Sequence, residues 1–291
     1  MNVDYARLFA TSSALVVAHP GHEIRVHGWL ARARPLVFIL TDGSGRSNLS
    51  RLDSTTAYLR ESGVRRGPLY GRFSDREIYR SLLIHDFALF INLVNELVES
   101  FRRERIALVV GDAAEGYNST HDLCRLLVNA AIEMSNRQGA EASIVNYDFP
   151  VVDRPDSCPE PLRDAAVRLH LDEATFAAKL SAARRHYPEL VAEMETALSR
   201  TGASPLRRYF EAQSEPQQAA AAGTCLNMFR VEVLRPAGGH EQFDAFVRRK
   251  PFYESQGERQ VAAGHYAETI RYREHLAPLA DALKEHVERN A

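Results

Sequence analysis

Cysteine is scarce. The 291-residue chain has three, Cys124, Cys158 and Cys225, odd in number and far apart. Neither a disulfide framework nor a cysteine zinc cluster is indicated, and a reducing cytoplasm is the expected setting. Long apolar runs are also missing. Leu15 to Ala18 is too short for a secretion-signal core, no cationic leader precedes it, and no run approaches the roughly 20 residues that span a bilayer. A soluble chain without a membrane partner is expected. There is no excess of basic charge either: the net charge is -2 and the charged residues, 25% of the chain, are dispersed, so nothing points to nucleic acid. No internal repeat is found, and no glycine-rich phosphate loop follows the first apolar run, which disfavours a nucleotide-binding protein.

What is present is organised around Ser12-Ser13-Ala14-Leu15-Val16-Val17-Ala18-His19-Pro20-Gly21-His22-Glu23. The β-branched run reads as a buried central strand. Pro20 cannot donate to a sheet ladder and Gly21 tolerates unusual backbone angles, so the chain turns directly after His19 and throws His22 back beside it. Two imidazoles on one turn suit a borderline-soft cation such as zinc if a third ligand arrives from elsewhere; otherwise they are two polar residues in a loop. A helix over 24–34, stopped by Pro35, and a second buried strand over Leu36 to Thr41 complete a strand–helix–strand unit, most economically parallel. The second strand ends in Thr41-Asp42-Gly43-Ser44-Gly45 at the same edge, where Asp42 is either a turn-stabilising residue or part of a site.

Further on, 50–62 predicts a helix and Ser74-Asp75-Arg76-Glu77 opens a long amphipathic one to about Arg103. A third buried strand, Arg105 to Asp112, runs into a loop carrying Asp112, Glu115, Tyr117 and Asn118. Ser119 and Thr120 are expected to cap the helix His121 to Asn136, leaving His121 in an electropositive first turn that keeps it neutral, as a metal ligand must be. A strand over 141–147 is expected to end the sheet. Pro150 to Pro161, with four prolines, reads as a linker. Beyond it, Asp172 caps a helix through His186, Pro188 begins another through Arg200, and an alanine run covers 219–222. The expected architecture is α/β: a Rossmann-like, mostly parallel sheet flanked by helices, with a mainly helical C-terminal extension. Residues 1–150 form the metal-binding domain, and 151–291 pack on it. In open sheets of this kind ligands bind at the carboxyl ends of the strands, which is where His19, His22 and His121 converge. Three protein ligands and an open fourth position is the pattern of a catalytic zinc, although the same face also suits iron, cobalt or nickel.

Ala18-His19-Pro20-Gly21-His22-Glu23, Thr41-Asp42-Gly43 and Asn118-Ser119-Thr120-His121 together resemble the LmbE-like or PIG-L family of zinc-dependent N-deacetylases. Their signature is Ala-His-Pro-Asp-Asp-Glu, then Thr-Asp-Gly, then a segment such as His-Pro-Asp-His. The likeness covers about residues 13–147. It implies a zinc-dependent hydrolase that removes an N-acyl group from a sugar-like small molecule. It makes His19 and His121 metal ligands, sets His22 where the family has its aspartate ligand, and gives Arg51 and Asp75 the places of substrate contacts. Asn118 stands where the family has a histidine that steadies the oxyanion; Asn118 and the neighbouring Tyr117 can still donate to developing charge. Gly21 departs from the pattern, for it replaces the family's general-base aspartate. Losing a positioned base costs about 10²- to 10⁴-fold. Asp112, Glu115 or Glu23 must then substitute, with Asp112 favoured and Gly21→Asp expected to restore the reaction. Otherwise the protein is a metal- or ligand-binding relative without hydrolysis, or a metalloenzyme of altered chemistry.

Overall fold

The computed structural model describes residues 5–45, 48–139, 143–191, 226–237, 243, 246 and 249–290. Seven strands, β1 Ser13–Val17, β2 Leu36–Thr41, β3 Arg66–Phe73, β4 Leu108–Asp112, β5 Val145–Phe149, β6 Val167–His170 and β7 Val231–Pro236, form one sheet in the order β3-β2-β1-β4-β5-β7-β6. β1 to β5 are parallel, and β7 runs antiparallel between β5 and β6. The fold is thus the mostly parallel α/β sheet that the alternation of apolar runs and amphipathic segments predicts. Every residue of β1, β2 and β4 is buried, as continuous β-branched runs require when helices cover both faces.

The helices are α1 Tyr5–Ala10, α2 His27–Ala33, α3 Leu52–Glu61, α4 Asp75–Leu83, α5 Phe87–Arg103, α6 Ser119–Arg137, α7 Glu173–His186, α8 Phe252–Ala262 and α9 Ala277–Asn290. On one face Phe90, Leu97, Leu127 and Leu279 of α5, α6 and α9 pack on Val16 and Val109. On the other, Trp29, Tyr58 and Ala182 of α2, α3 and α7 pack on Val17 and Val110. The sheet order reverses between β1 and β4, whose crossovers leave in opposite directions, and this opens a crevice at their carboxyl ends.

Local differences from the sequence reading have physical causes. The helix expected from Ser74 to Arg103 is two, because His85 adopts a left-handed backbone (φ 54°) and Asp86 caps α5 by accepting the Leu89 N–H. Helix α6 is capped by Asn118, whose Oδ1 accepts the Thr120 N–H at 2.8 Å, and not by Ser119 or Thr120. β5 does not end the sheet, since β7 and β6 lie beyond residue 150 and extend it. Residues 151–153 are no free linker. All three of their amides donate to the Glu115 carboxylate, at 2.8–2.9 Å, while Arg25 donates to the carbonyls of Pro150 and Asp153. The helix expected over 188–200 lies, past residue 191, outside the described residues, as do the alanine run and Cys225. Among the described residues no helix is long and apolar enough to cross a membrane.

One buried ion pair fastens α7 to the segment after β1. Lys179 Nζ lies 2.8 Å from both Glu232 Oε1 and the Arg25 carbonyl, and Glu232 also accepts the N–H groups of Gly28 and Trp29 in the first turn of α2. Burial lowers the Lys179 pKa while Glu232 raises it. Removing one partner of such a pair strands a buried charge, at a cost of about 3–5 kcal/mol. Lys179→Met should therefore lower the unfolding free energy by that order, measured by urea denaturation at pH 7.

Candidate metal centre

Three imidazoles meet in the crevice between β1 and β4. Their ring centroids are 5.3 Å apart for His19 and His22, 5.0 Å for His19 and His121, and 4.6 Å for His22 and His121, all edge to face. Nitrogen–zinc bonds of about 2.0–2.1 Å in tetrahedral array set ligating ring centroids roughly 5 Å apart. The topology produces this meeting: His19 and His22 follow β1, and His121 sits in the first turn of α6, just after β4. Gly21 takes φ 102°, a left-handed conformation that brings His22 back over the end of β1.

The outer nitrogens of two rings are held by other groups. His22 Nδ1 is 2.9 Å from Asp112 Oδ2, and the same oxygen accepts the Ala18 N–H at 2.7 Å. His19 Nδ1 is 2.7 Å from Thr41 Oγ1 and 3.0 Å from Asp75 Oδ1. Thr41 spends its own proton on the Ala18 carbonyl, so it accepts from His19. Each ring therefore carries a proton on Nδ1. His121 differs, because its buried Nδ1 has no hydrogen-bond partner. Burial foremost, and then the charges of His22, His19 and Arg51, hold its pKa well below the usual histidine range. The ring stays neutral, as a ligand must.

Among the described residues, no group of three or more His, Cys, Asp or Glu side chains is placed so that it could hold a metal ion. The donor chemistry fits a transition ion: three imidazoles, two oriented by outer acceptors and one with an orphaned buried nitrogen.

The other residues singled out from the sequence fall in distinct places. Asp75, in the first turn of α4, accepts the Gly45 N–H and backs His19. Burial raises its pKa, but the neighbouring His19 and the Gly45 amide outweigh this and hold it well below the usual carboxylate range. Asp42 Oδ1 closes a turn with the Ser44 N–H, and its carbonyl accepts from the Arg51 N–H. Arg51 Nε donates to the Gly43 carbonyl at 2.8 Å. Asn118 turns its amide nitrogen to within 3.5 Å of His19 Nε2, an orientation fixed because its oxygen is spent capping α6. The Tyr117 ring stacks on Phe252 at 5.2 Å.

Of the three carboxylates considered as a base, none stands open at the cluster. Glu115 is committed to the amides of 151–153. Asp112 lies behind His22, with its Oδ1 buried and unpaired. Glu23, fully buried, accepts from the Gly21 N–H, the Thr55 hydroxyl and the Tyr187 hydroxyl. Thr55 and Tyr187 carry no sequence signal for this role. They lie 32 and 164 residues from Glu23.

A scan against protein-family models finds no match, and a search of curated proteins finds none either. Two solved structures share the fold. The zinc-inhibited form of the teicoplanin deacetylase Orf2 is 15% identical with a TM-score of 0.50, covering 77% of this chain and 97% of that one. A deacetylase complex from the biosynthesis pathway of teicoplanin is 16% identical at 0.50, with the same coverage. At this identity the likeness is one of fold.

Gly21 has little room for a side chain. A Cβ there would lie 2.5 Å from Leu190 Cδ1 and 3.5 Å from the Tyr187 ring. Gly21→Asp therefore requires the Leu190 side chain to move and sets an L side chain on a left-handed backbone. Gly21→Ala should destabilise the protein by about 1–3 kcal/mol through the left-handed backbone alone, lowering the thermal midpoint in a calorimetric scan.

Proposed function

We propose that this protein is a metal-dependent hydrolase of the deacetylase kind, with His19, His22 and His121 holding one transition ion, zinc foremost and iron, cobalt or nickel as alternatives. The observation that carries the reading is the meeting of three imidazoles at the carboxyl ends of β1 and β4, two with Nδ1 anchored to Asp112 and to Thr41 with Asp75. The sequence likeness to the LmbE-like or PIG-L family over residues 13–147 supports it, as does the fold shared with teicoplanin deacetylases. The substrate class that follows is a small N-acylated molecule of sugar-like character. A divalent ion there supplies Lewis-acid polarisation of a carbonyl and acidification of water.

The chain's own groups have separate tasks in this reading. Asp112 keeps the His22 proton on Nδ1 and so presents its other nitrogen. Asp75 and Thr41 do the same for His19. The Asn118 amide, aimed at the cluster by its capping role, donates to negative charge that develops on an acyl oxygen. Arg51 and Asp42 shape the loop at the β2 edge, where substrate would enter. Residues 1–150 supply the three histidines, and β6, β7 and α7 beyond them extend the same sheet and back the turn after β1.

A second reading rests on a specific observation. Glu23 and Glu115 are committed elsewhere, one oxygen of Asp112 is held behind His22, and Gly21 offers no carboxylate. A metal- or ligand-binding protein without amide hydrolysis fits that commitment. Amine release from a panel of N-acetylated sugars, with metal supplied, separates the two: release supports the hydrolase, and none across the panel favours the second.

Metal content of the purified protein, measured by plasma mass spectrometry, should approach one ion per chain and fall sharply in His121→Ala. Full retention by that variant would remove His121 from the site. Asp112→Asn discriminates roles. As the residue orienting His22 it should weaken metal affinity about 10- to 100-fold. Unchanged affinity with kcat lowered about 10²-fold would instead make it the base.

A further inference from the structure

Glu23 follows His22 directly in the turn after β1. This carboxylate is wholly buried, and no cation is paired with it among the described residues. Its three donors come from three parts of the chain: the Gly21 amide on Oε2 at 2.8 Å, and on Oε1 the Thr55 hydroxyl of α3 at 2.8 Å and the Tyr187 hydroxyl just past α7. The Tyr187 hydroxyl also lies 3.2 Å from Thr55 Oγ1. The Gly21 amide belongs to the left-handed turn that swings His22 beside His19 and His121. Tyr187 and Leu190 pack directly over that turn, where a Cβ on Gly21 would meet them. A second grip comes from the same helix, since Lys179 holds the Arg25 carbonyl and, through Glu232, the start of α2.

We infer that Tyr187 is a positioning residue of the metal centre: its hydroxyl holds Glu23, Glu23 holds the Gly21 amide, and the turn so fixed presents His22 to the other two histidines. The inference rests on the three-histidine reading above. Without the hydroxyl, the wholly buried Glu23 carboxylate loses a donor and re-forms its bonds by moving. Any such movement passes through the Gly21 amide to His22, one residue on. The ring of Tyr187 is not what matters here, so Tyr187→Phe keeps the packing over Gly21 and removes only the hydrogen bond.

The test is metal affinity and ligand field, neither of which needs a substrate. Zinc affinity is measured by competition with a chromophoric chelator, and the visible absorption of the cobalt-loaded protein reports coordination geometry. Tyr187→Phe should bind zinc about 10- to 100-fold more weakly, the range for loss of a partner that orients ligands, with a shifted or weakened cobalt band. Val287→Ala, in α9 on the opposite face of the sheet, is the control: it should lower thermal stability and leave both readouts at the parent's values. If Tyr187→Phe does not fold, Thr55→Val removes the other hydroxyl donor to the same oxygen and should act in the same direction. A folded Tyr187→Phe or Thr55→Val with parental zinc affinity and cobalt spectrum would overturn the inference while leaving the three-histidine site standing. A parent that binds neither zinc nor cobalt would overturn that site, and this inference with it.

Discussion

The Asp112 carboxylate ties together the two strand ends on which the candidate site depends. One of its oxygens accepts both the Ala18 amide, where β1 ends, and the His22 imidazole beyond the turn. β1 and β4 are neighbours at the point where the sheet order reverses, so their carboxyl ends would otherwise border an open crevice. Joining them through a single fully buried oxygen sets the spacing between the His19–His22 turn and the loop that delivers His121. It also explains why this aspartate stands behind an imidazole and not beside it. An oxygen already committed to an amide and a ring nitrogen orients a ligand well, while the other oxygen of the same carboxylate is buried without a partner among the described residues.

The electrostatics of the cluster follow from the same economy. Two histidines have their protons directed outward to acceptors, and the third is kept neutral chiefly by burial. With His121 neutral, the rings crowd to centroid separations near 5 Å, where three imidazolium ions would repel strongly. Negative charge is present but held one layer back, in Asp75 and Asp112, where it stabilises donor protons. Hydrogen bonds in the surrounding shell orient two of the three rings, His19 and His22, and leave the third held by packing.

The part of the chain beyond residue 150 is more deeply involved in this shell than its composition indicates. β7 and β6 extend the sheet, Glu232 of β7 closes the first turn of α2, and α7 reaches back to the β1 turn through Lys179 and Tyr187. The segment after β1 is thereby gripped from the side opposite the histidines. Glu115 has an analogous part on the other flank, where it gathers three consecutive amides at 151–153 and so fixes the path by which the chain leaves β5.

Read alone, the sequence determined the features that depend on short-range pattern. Continuous apolar runs located β1, β2 and β4, Pro20 and Gly21 located the turn, and strand-end topology brought His19, His22 and His121 to one edge, because a parallel sheet puts all its carboxyl ends together. The tertiary structure alone decided what each carboxylate does. Glu23, Asp112 and Glu115 look equivalent as acids near a histidine motif, yet their roles are set by partners 32 to 164 residues away in Glu23, by Ala18 and His22 in Asp112, and by the 151–153 amides in Glu115. A buried carboxylate must find donors wherever packing brings them, and no local spacing encodes a donor that arrives from another helix. The same reason hid Tyr187 and β7, and it explains why the glycine at position 21 reads as a missing base in sequence but as a tightly covered turn in the fold.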